Sequence, residues 1–467
     1  MERGSAWKGY TEADIEALNE LAEGYKAFIT ANKTERECCA AAVAAAEAAG
    51  YLSLEEAIAS GETLKAGSKI YATSHGKAVM LMQLGTAKLE EGANILGAHI
   101  DSPRLDVKQN PLYEKDGFTL LDTHYYGGIK KYQWVAIPLG LRGVVAKTDG
   151  SVVPVSIGDD PADPVFCVTD LLPHLGAKQM EKKGSEVVEG EDLDVLIGNQ
   201  RALAEGDTAQ EEKDPVRTFT LGLLTEKYGI VEEDFLSAEL EVVPAGAARD
   251  LGFDRSMVIG YGQDDRVCAY TSLLAQLAQA DRVLERTAVC ILVDKEEIGS
   301  VGATGMESAF FENTFAEVMA LAGETGELAL RRALSRCRML SSDVSAGVDP
   351  AYESVFESKN SAYLGCGLVF NKYTGARGKS GSNDARAEYL AHIRRVMDEA
   401  GVVFQTAELG RVDAGGGGTI AYIPARYGMD VIDSGVPVLS MHSPWEVTSK
   451  ADIYEAKRGY EAFLRCS

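Results

Sequence analysis

The chain has 467 residues, 46% of them hydrophobic and 25% charged, enough apolar material for a large buried core. Its 46 Lys and Arg stand against 71 Asp and Glu, giving a formal charge of −25. A surface that acidic repels phosphate backbones and anionic lipid heads, which argues against nucleic-acid and membrane partners. At roughly 150 residues per domain, the length allows two or three domains, or one large domain with an insertion. No C-x-x-C pair occurs among the eight cysteines, and several lie in apolar runs such as Val289–Val293, where buried free thiols are expected. The first 29 residues carry acids throughout, without a basic segment followed by an apolar one, and no apolar run approaches 18 residues. These features predict a cytoplasmic protein with no signal peptide and no membrane span.

In chain order, Thr11 and Thr34 stand at helix N-caps. Thr34 with Glu37 forms a capping box, and Gly50 closes that second helix. Ile70–Leu84 reads as a hairpin turning at His75-Gly76, and Asn94–Ile100 as a buried strand. Between 109 and 248 the texture becomes β-rich, with strands Gly143–Lys147 and Ser151–Ile157 around the Asp149-Gly150 turn. The acidic stretch Glu181–Asp214 reads as a long surface loop or a partly disordered segment. From 249 the rhythm is strand, loop, helix: strand 256–262, helix 265–280, strand 287–293, helix 307–322, strand 338–344. Helix 383–400, strands 402–409 and 436–441, and a last helix from Ala451 follow, the last capped by Ser449 with Asp452. The pattern predicts an α/β fold with a central mixed sheet covered by helices. The discontinuous domain would span 1–108 and 249–467, with 109–248 as a β-rich insertion.

Five apolar segments each run into residues able to hold a metal. Ile95–Ala98 leads to His99 and Asp101; Met257–Gln263 to Asp264 and Asp265; Cys290–Val293 to Asp294, Glu296 and Glu297; Met339–Ser342 to Asp343; and Val436–Met441 to His442. A lone His after a strand is ordinarily a surface or capping residue, and acids that open a helix favour its dipole whatever the function. The weight lies in all five falling at equivalent places, since open α/β sheets build sites beyond the carboxyl ends of their strands. Histidine and carboxylate without thiolate suits zinc, manganese or cobalt in a catalytic centre. The pattern points to a metal hydrolase.

Competing motifs fail. There is no H-E-x-x-H and no G-x-S-x-G. Gly378-Lys379-Ser380 mimics the end of a P-loop, but Tyr373 stands where its first glycine belongs. The run Gly416–Ala421 matches G-x-G-x-x-A without a strand leading into it; Gly415–Gly418 reads as backbone closely approaching the site or as a tight turn.

The segments His99–Arg104, Asp294–Ser300 and Ser440–Ser443, with Gly262–Asp265 and Ser342–Ala346 in order, resemble the aspartyl aminopeptidase / vacuolar aminopeptidase I family of metalloaminopeptidases. The resemblance spans essentially the whole chain. It implies a catalytic domain split around a dimerisation domain, and two divalent ions, usually zinc, with manganese or cobalt as alternatives. It further implies peptide substrates with free N-termini and a homo-oligomer built from dimers, commonly a tetrahedral dodecamer. By position, Asp264 would bridge the metals, His99 and Asp343 would complete one set of ligands, and Glu297 and His442 the other. Glu296 would be the general base and Asp101 the carboxylate that orients His99, consistent with the needs of an imidazole ligand and a water to be deprotonated. His174 matches a dimerisation-domain histidine that reaches the neighbouring subunit's site to steady an oxyanion. Lys379 falls in a segment associated with the substrate pocket.

Two stretches depart from the aspartyl-type pattern. Gly127–Ala136, with Lys130, Lys131, Tyr132 and Trp134, stands where aspartyl-type members carry tryptophan with Phe-Asp-Arg-Asp-Leu, and Gly381–Asp384 replaces a segment rich in Asn, Gln, Arg and Tyr. Preference for acidic N-terminal residues is therefore not implied. Two other readings remain at this level: a di-metal deacylase or carboxypeptidase-like hydrolase of N-acyl amino acids, and a catalytically silent oligomeric scaffold.

Overall fold

A computed structural model describes residues 4–201 and 213–467. The chain divides into two compact units. The first comprises the described residues as far as Asp101, with Ala248–Met441 and Glu446–Ser467; the second comprises Ser102–Ala247 with His442–Trp445.

The first unit is built on a nine-stranded mixed sheet. Its strands lie in the order Leu52–Ser53, Lys69–Ser74, Ala78–Gln83, Thr287–Val293, Ala93–His99, Arg338–Ser342, Asp430–Gly435, Leu368–Asn371 and Phe404–Ala407. The four central strands from Thr287–Val293 to Asp430–Gly435 run parallel. They are buried on both faces, which is why Thr287–Val293 and Ala93–His99 read as largely apolar runs rather than alternations. On one face Leu96, Cys290, Leu292, Leu340 and Ile432 join the core that includes Tyr25, Val267 and Tyr460. On the other, Ile95, Val289, Met339 and Val431 pack with Phe311, Phe315 and Val318.

Helix Glu12–Ala31 begins at Thr11 and helix Glu35–Ala48 at Thr34, each with a reciprocal capping box, to Asp14 and Glu37 respectively. The expected hairpin forms, with Lys69–Ser74 pairing antiparallel to Ala78–Gln83. Two strands that seemed to belong to the main series do not. Met257–Gly260 and Pro437–Leu439 lie in a separate five-stranded sheet with Arg249–Leu251, Glu446–Ser449 and Ser345–Ala346. Strand Asp430–Gly435, which does belong to the main sheet, escaped the pattern because Asp430, Asp433 and Ser434 interrupt its apolar run.

The second unit holds a six-stranded antiparallel sheet: Val152–Ile157, Leu139–Ala146, Ala238–Pro244, Arg104–Lys115, Phe118–Tyr126 and Val195–Gly198. Asp149 Oδ1 accepts the Ser151 N–H at 2.8 Å and shapes the predicted turn. Strand Val195–Gly198 corrects the reading of Glu181–Asp214 as loop throughout: Val195-Leu196-Ile197 is apolar enough to add to the sheet edge. Residues 202–212 of that stretch lie outside the described residues. Among the described residues no helix is long and apolar enough to cross a membrane. All eight cysteines are free thiols.

The last helix, Lys450–Arg465, is capped by the Ser449 hydroxyl, which accepts the Ala451 N–H. Asp452 does not share in that cap. Fully buried, it reaches into the loop before Leu368–Asn371 and accepts the N–H groups of Gly365 and Gly367, each at 2.7 Å. Burial pushes its carboxyl up to about 8, opposed by these bonds. Asp452→Ala strands buried donors and should cost about 3 kcal/mol of stability. Asp452→Asn keeps one acceptor and should lose less; denaturant midpoints of the three proteins check the order.

Candidate metal centre

Parallel pairing aligns three strand ends at one edge of the main sheet. Val293 pairs with His99, and Ser341 with Gly97, so Asp343 follows its strand at the level of His99. The Asp343 N–H donates to the Ser434 carbonyl at 3.0 Å. The next residue must be glycine, because a Cβ at Gly435 would stand 1.9 Å from the Asp343 carbonyl oxygen.

His99 is buried, and each ring nitrogen faces a carboxylate. Nδ1 lies 3.2 Å from Asp101 Oδ1, and Nε2 lies 3.2 Å from Asp264 Oδ1 and 3.9 Å from Glu296 Oε2. Asp101, itself fully buried, also accepts the backbone N–H groups of Glu296 and Glu297, on Oδ1 and Oδ2, each at 3.2 Å. One carboxylate thus fixes both the imidazole and the turn carrying two further acids. That turn needs fixing. Lys295 enters it at φ 70°, a left-handed conformation costing a non-glycine residue about 1 kcal/mol, which the two Asp101 bonds offset. Asp294 closes the base of the same loop, accepting from the Thr304 hydroxyl at 2.6 Å.

Asp264 and Asp265 arrive from another direction, at the start of the helical segment Gln263–Leu277, where both keep non-helical backbone angles. The Asp264 N–H donates to Glu446 Oε2 at 3.1 Å, and Gln263 Nε2 donates to the Glu446 carbonyl at 2.6 Å. Asp265, fully buried, accepts the His99 backbone N–H at 3.4 Å. The sequence pattern placed Asp265 beside Asp264 among the metal-capable acids, but the family resemblance assigned it no role.

Ligand-capable atoms of His99, Asp265 and Asp343 lie within 4.8 Å of one another, as do those of His99, Asp264 and Glu297. Burial pushes the acids Asp265 and Asp343 well above the usual carboxylate range, and neighbouring carboxylates add to the rise. For His99 burial acts downward, but hydrogen bonds to Asp101 and Asp264 carry it well above its ordinary value. Such a cage is short of positive charge. Imidazole nitrogen and carboxylate oxygen without thiolate are donors that suit a divalent cation, so the residues fit a metal centre.

His442, His174 and Lys379 complete the predicted set. His442, within the second unit, sits at φ 64°, and its Nδ1–H donates to the Gly128 carbonyl at 2.8 Å, which leaves Nε2 as the lone-pair nitrogen. His174 is exposed in a turn of the second unit. Lys379 pairs with Asp384 at 2.9 Å and lies over the Tyr373 ring, 3.7 Å from its centroid.

A family model described as Aminopeptidase I zinc metalloprotease (M18) matches residues 28–464. A Clostridium acetobutylicum protein named probable M18 family aminopeptidase 1 is 58% identical over 460 residues, covering 98% of this chain and 97% of its own. The crystal structure of an M18 aminopeptidase from Thermotoga maritima superposes with a TM-score of 0.93 at 42% identity, covering 100% of this chain and 99% of that one. That of aminopeptidase I from C. acetobutylicum gives 0.91 at 55%, with both chains fully covered. More distantly, the S. cerevisiae mApe1 dodecamer shares the fold at 18% identity, with a TM-score of 0.76 over 95% of this chain and 96% of that one. A match over nearly the whole length, to a family whose chemistry suits the acid cage around His99, makes this chain a member of the M18 family of zinc metalloaminopeptidases.

Proposed function

We propose that this aminopeptidase cleaves the first peptide bond of peptides with a free N-terminus, with Glu296 as general base. The observation that carries the reading is the Asp101 carboxylate, which binds the imidazole of His99 and the N–H groups of Glu296 and Glu297 together. His99 and Asp343 would hold one divalent ion, Glu297 and His442 a second, with Asp264 between them. Zinc is the first expectation, with manganese or cobalt as alternatives. Two such ions, when bound, polarise the scissile carbonyl and lower the pKa of water. Glu296 then takes the proton from water and delivers it to the leaving amine. Asp101 keeps Glu296 in place through its backbone and holds His99 in the tautomer whose Nε2 lone pair is available.

The second unit would serve dimerisation. Leu171, Leu172, Leu175 and Met180 are exposed there, the last two by 70% and 77%, around the turn that carries His174. Exposed apolar residues in one segment suit an interface with a second copy. The assembly would be a cytoplasmic homo-oligomer of dimers, a tetrahedral dodecamer at its largest, with His174 donating to the oxyanion in the neighbouring site. Lys379 would border the substrate pocket, its charge already engaged by Asp384.

Glu296→Gln should keep fold and metal content while kcat falls about a thousandfold, within the range for losing a general base. Near-normal turnover overturns the assignment. Initial rates on free-amine Asp, Glu, Leu, Ala and Lys substrates, with N-acetylated controls, should vanish on chelation and return with zinc, manganese or cobalt. Cleavage of the acetylated controls would instead mark a deacylase. If His174 serves a neighbour, His174→Ala and Glu296→Gln subunits, each inactive alone, should regain part of the activity in mixed oligomers shown to form; no recovery in such oligomers excludes sharing.

A further inference from the structure

Four residues assigned to the site share a local device: the backbone N–H of each ends on a buried carboxylate. Asp101 accepts those of Glu296 and Glu297, Asp265 that of His99, and Glu446 that of Asp264, at 3.1 Å on Oε2. Asp343 differs, since its N–H goes to the Ser434 carbonyl. Glu446 is 1% exposed, yet it is not among the ligand-capable groups that meet around His99.

The fold brings Glu446 to Asp264 from 182 residues away. Glu446 opens the strand Glu446–Ser449, which pairs antiparallel with Met257–Gly260 so that it stands opposite Gly260. The chain then turns at Gly262, φ 72°, and comes back to the same residue. Gln263, fully buried, donates Nε2 to the carbonyls of Glu446 at 2.6 Å and Val258 at 3.1 Å, and its Oε1 accepts the Tyr25 hydroxyl at 3.2 Å. The backbone entering Asp264 is thus tied to both strands. The helix itself cannot hold Asp264: N–H groups of a first turn have no intrahelical acceptor, and Asp264 and Asp265 keep non-helical angles. A carbonyl would satisfy one N–H without burying a charge, as at Asp343. A buried carboxylate is the costlier acceptor, and what it adds is a stronger hold.

We infer that Glu446 is the positioning residue for Asp264 and sets it where two divalent ions can share its carboxylate. A single ion can draw a loose carboxylate towards itself. Two ions, each with ligands of its own, require the shared group at one place, so loss of the hold falls on the second ion. The inference rests on the reading of Asp264 as the group between two ions, and it is tested apart from that reading.

Metal-stripped protein titrated with zinc against a chromophoric chelator reads the two equivalents separately. Glu446→Ala should bind the second zinc about tenfold more weakly than wild type and the first nearly as well, the scale expected when a ligand loses its supporting group. Glu446→Asp keeps a buried carboxylate but draws it back by one methylene. It should weaken the second zinc in the same direction, and it carries the test if the Ala variant does not fold. Glu446→Gln loses the charge, keeps an acceptor and should recover most of the affinity. Asp452→Ala, destabilised through a different loop, should bind both zincs as wild type does. An unchanged second affinity in the Ala and Asp variants overturns the positioning role, as does a Gln variant no better than Ala or an equal weakening in Asp452→Ala. Asp264→Ala should itself lose the second equivalent; if it binds two zincs normally, the shared-ligand reading falls and this inference with it. Loss in Asp264→Ala without loss in the Glu446 variants leaves that reading standing and overturns only the role of Glu446.

Discussion

The site depends on one arrangement: a buried carboxylate, Asp101, that bonds at once to an imidazole and to two consecutive backbone N–H groups. Around it stand Asp264, Asp265, Glu296, Glu297 and Asp343, acids that repel one another and that burial further disfavours as anions. Left to themselves such groups separate or take up protons. The rigid frame is what prevents separation. His99, Glu296–Glu297 and Asp343 follow three strands whose hydrogen-bonded register and two-sided burial leave no freedom to spread. Divalent cations would supply the charge that the frame lacks, and the mutual repulsion of the acids favours such a partner.

This explains what the sequence revealed. An apolar run ending in His or Glu is visible because a strand buried on both faces has no other pattern. His99, Glu296, Glu297 and Asp343 were legible for that reason. Asp264 and His442 follow strands just as apolar, but Met257–Gly260 and Pro437–Leu439 form a different, smaller sheet. Hydrophobicity announces a strand and says nothing of which sheet it joins, since that depends on long-range pairing. Asp265 was hidden beside Asp264: its work is to accept the His99 N–H from 166 residues away.

The polar residues misread locally have the same explanation. Asp452 stands three residues after Ser449, where a capping box would place it, yet its donors come from a loop 85 and 87 residues earlier. Asp433 breaks an apolar run and so concealed its own strand; the hydroxyl that justifies its burial is on Thr419. In each case a buried acid is paired by topology, and no spacing rule finds a partner that the fold alone brings near. Repeated glycine was ambiguous for a related reason: at Gly415 and Gly416 backbone presses on backbone, which spacing alone does not show.

The division between frame and loop also bears on specificity. Acids that follow the main-sheet strands tolerate little change, because moving one carboxylate alters the charge balance of the rest. The segments that depart from the aspartyl-type pattern, Gly127–Ala136 and Gly381–Asp384, lie outside that sheet. In the second, a single carboxylate, Asp384, faces two lysines, Lys372 at 3.6 Å and Lys379 at 2.9 Å, so the trio keeps a net positive charge. Strand ends thus fix the acids around His99, whereas these two segments place their charges on loops.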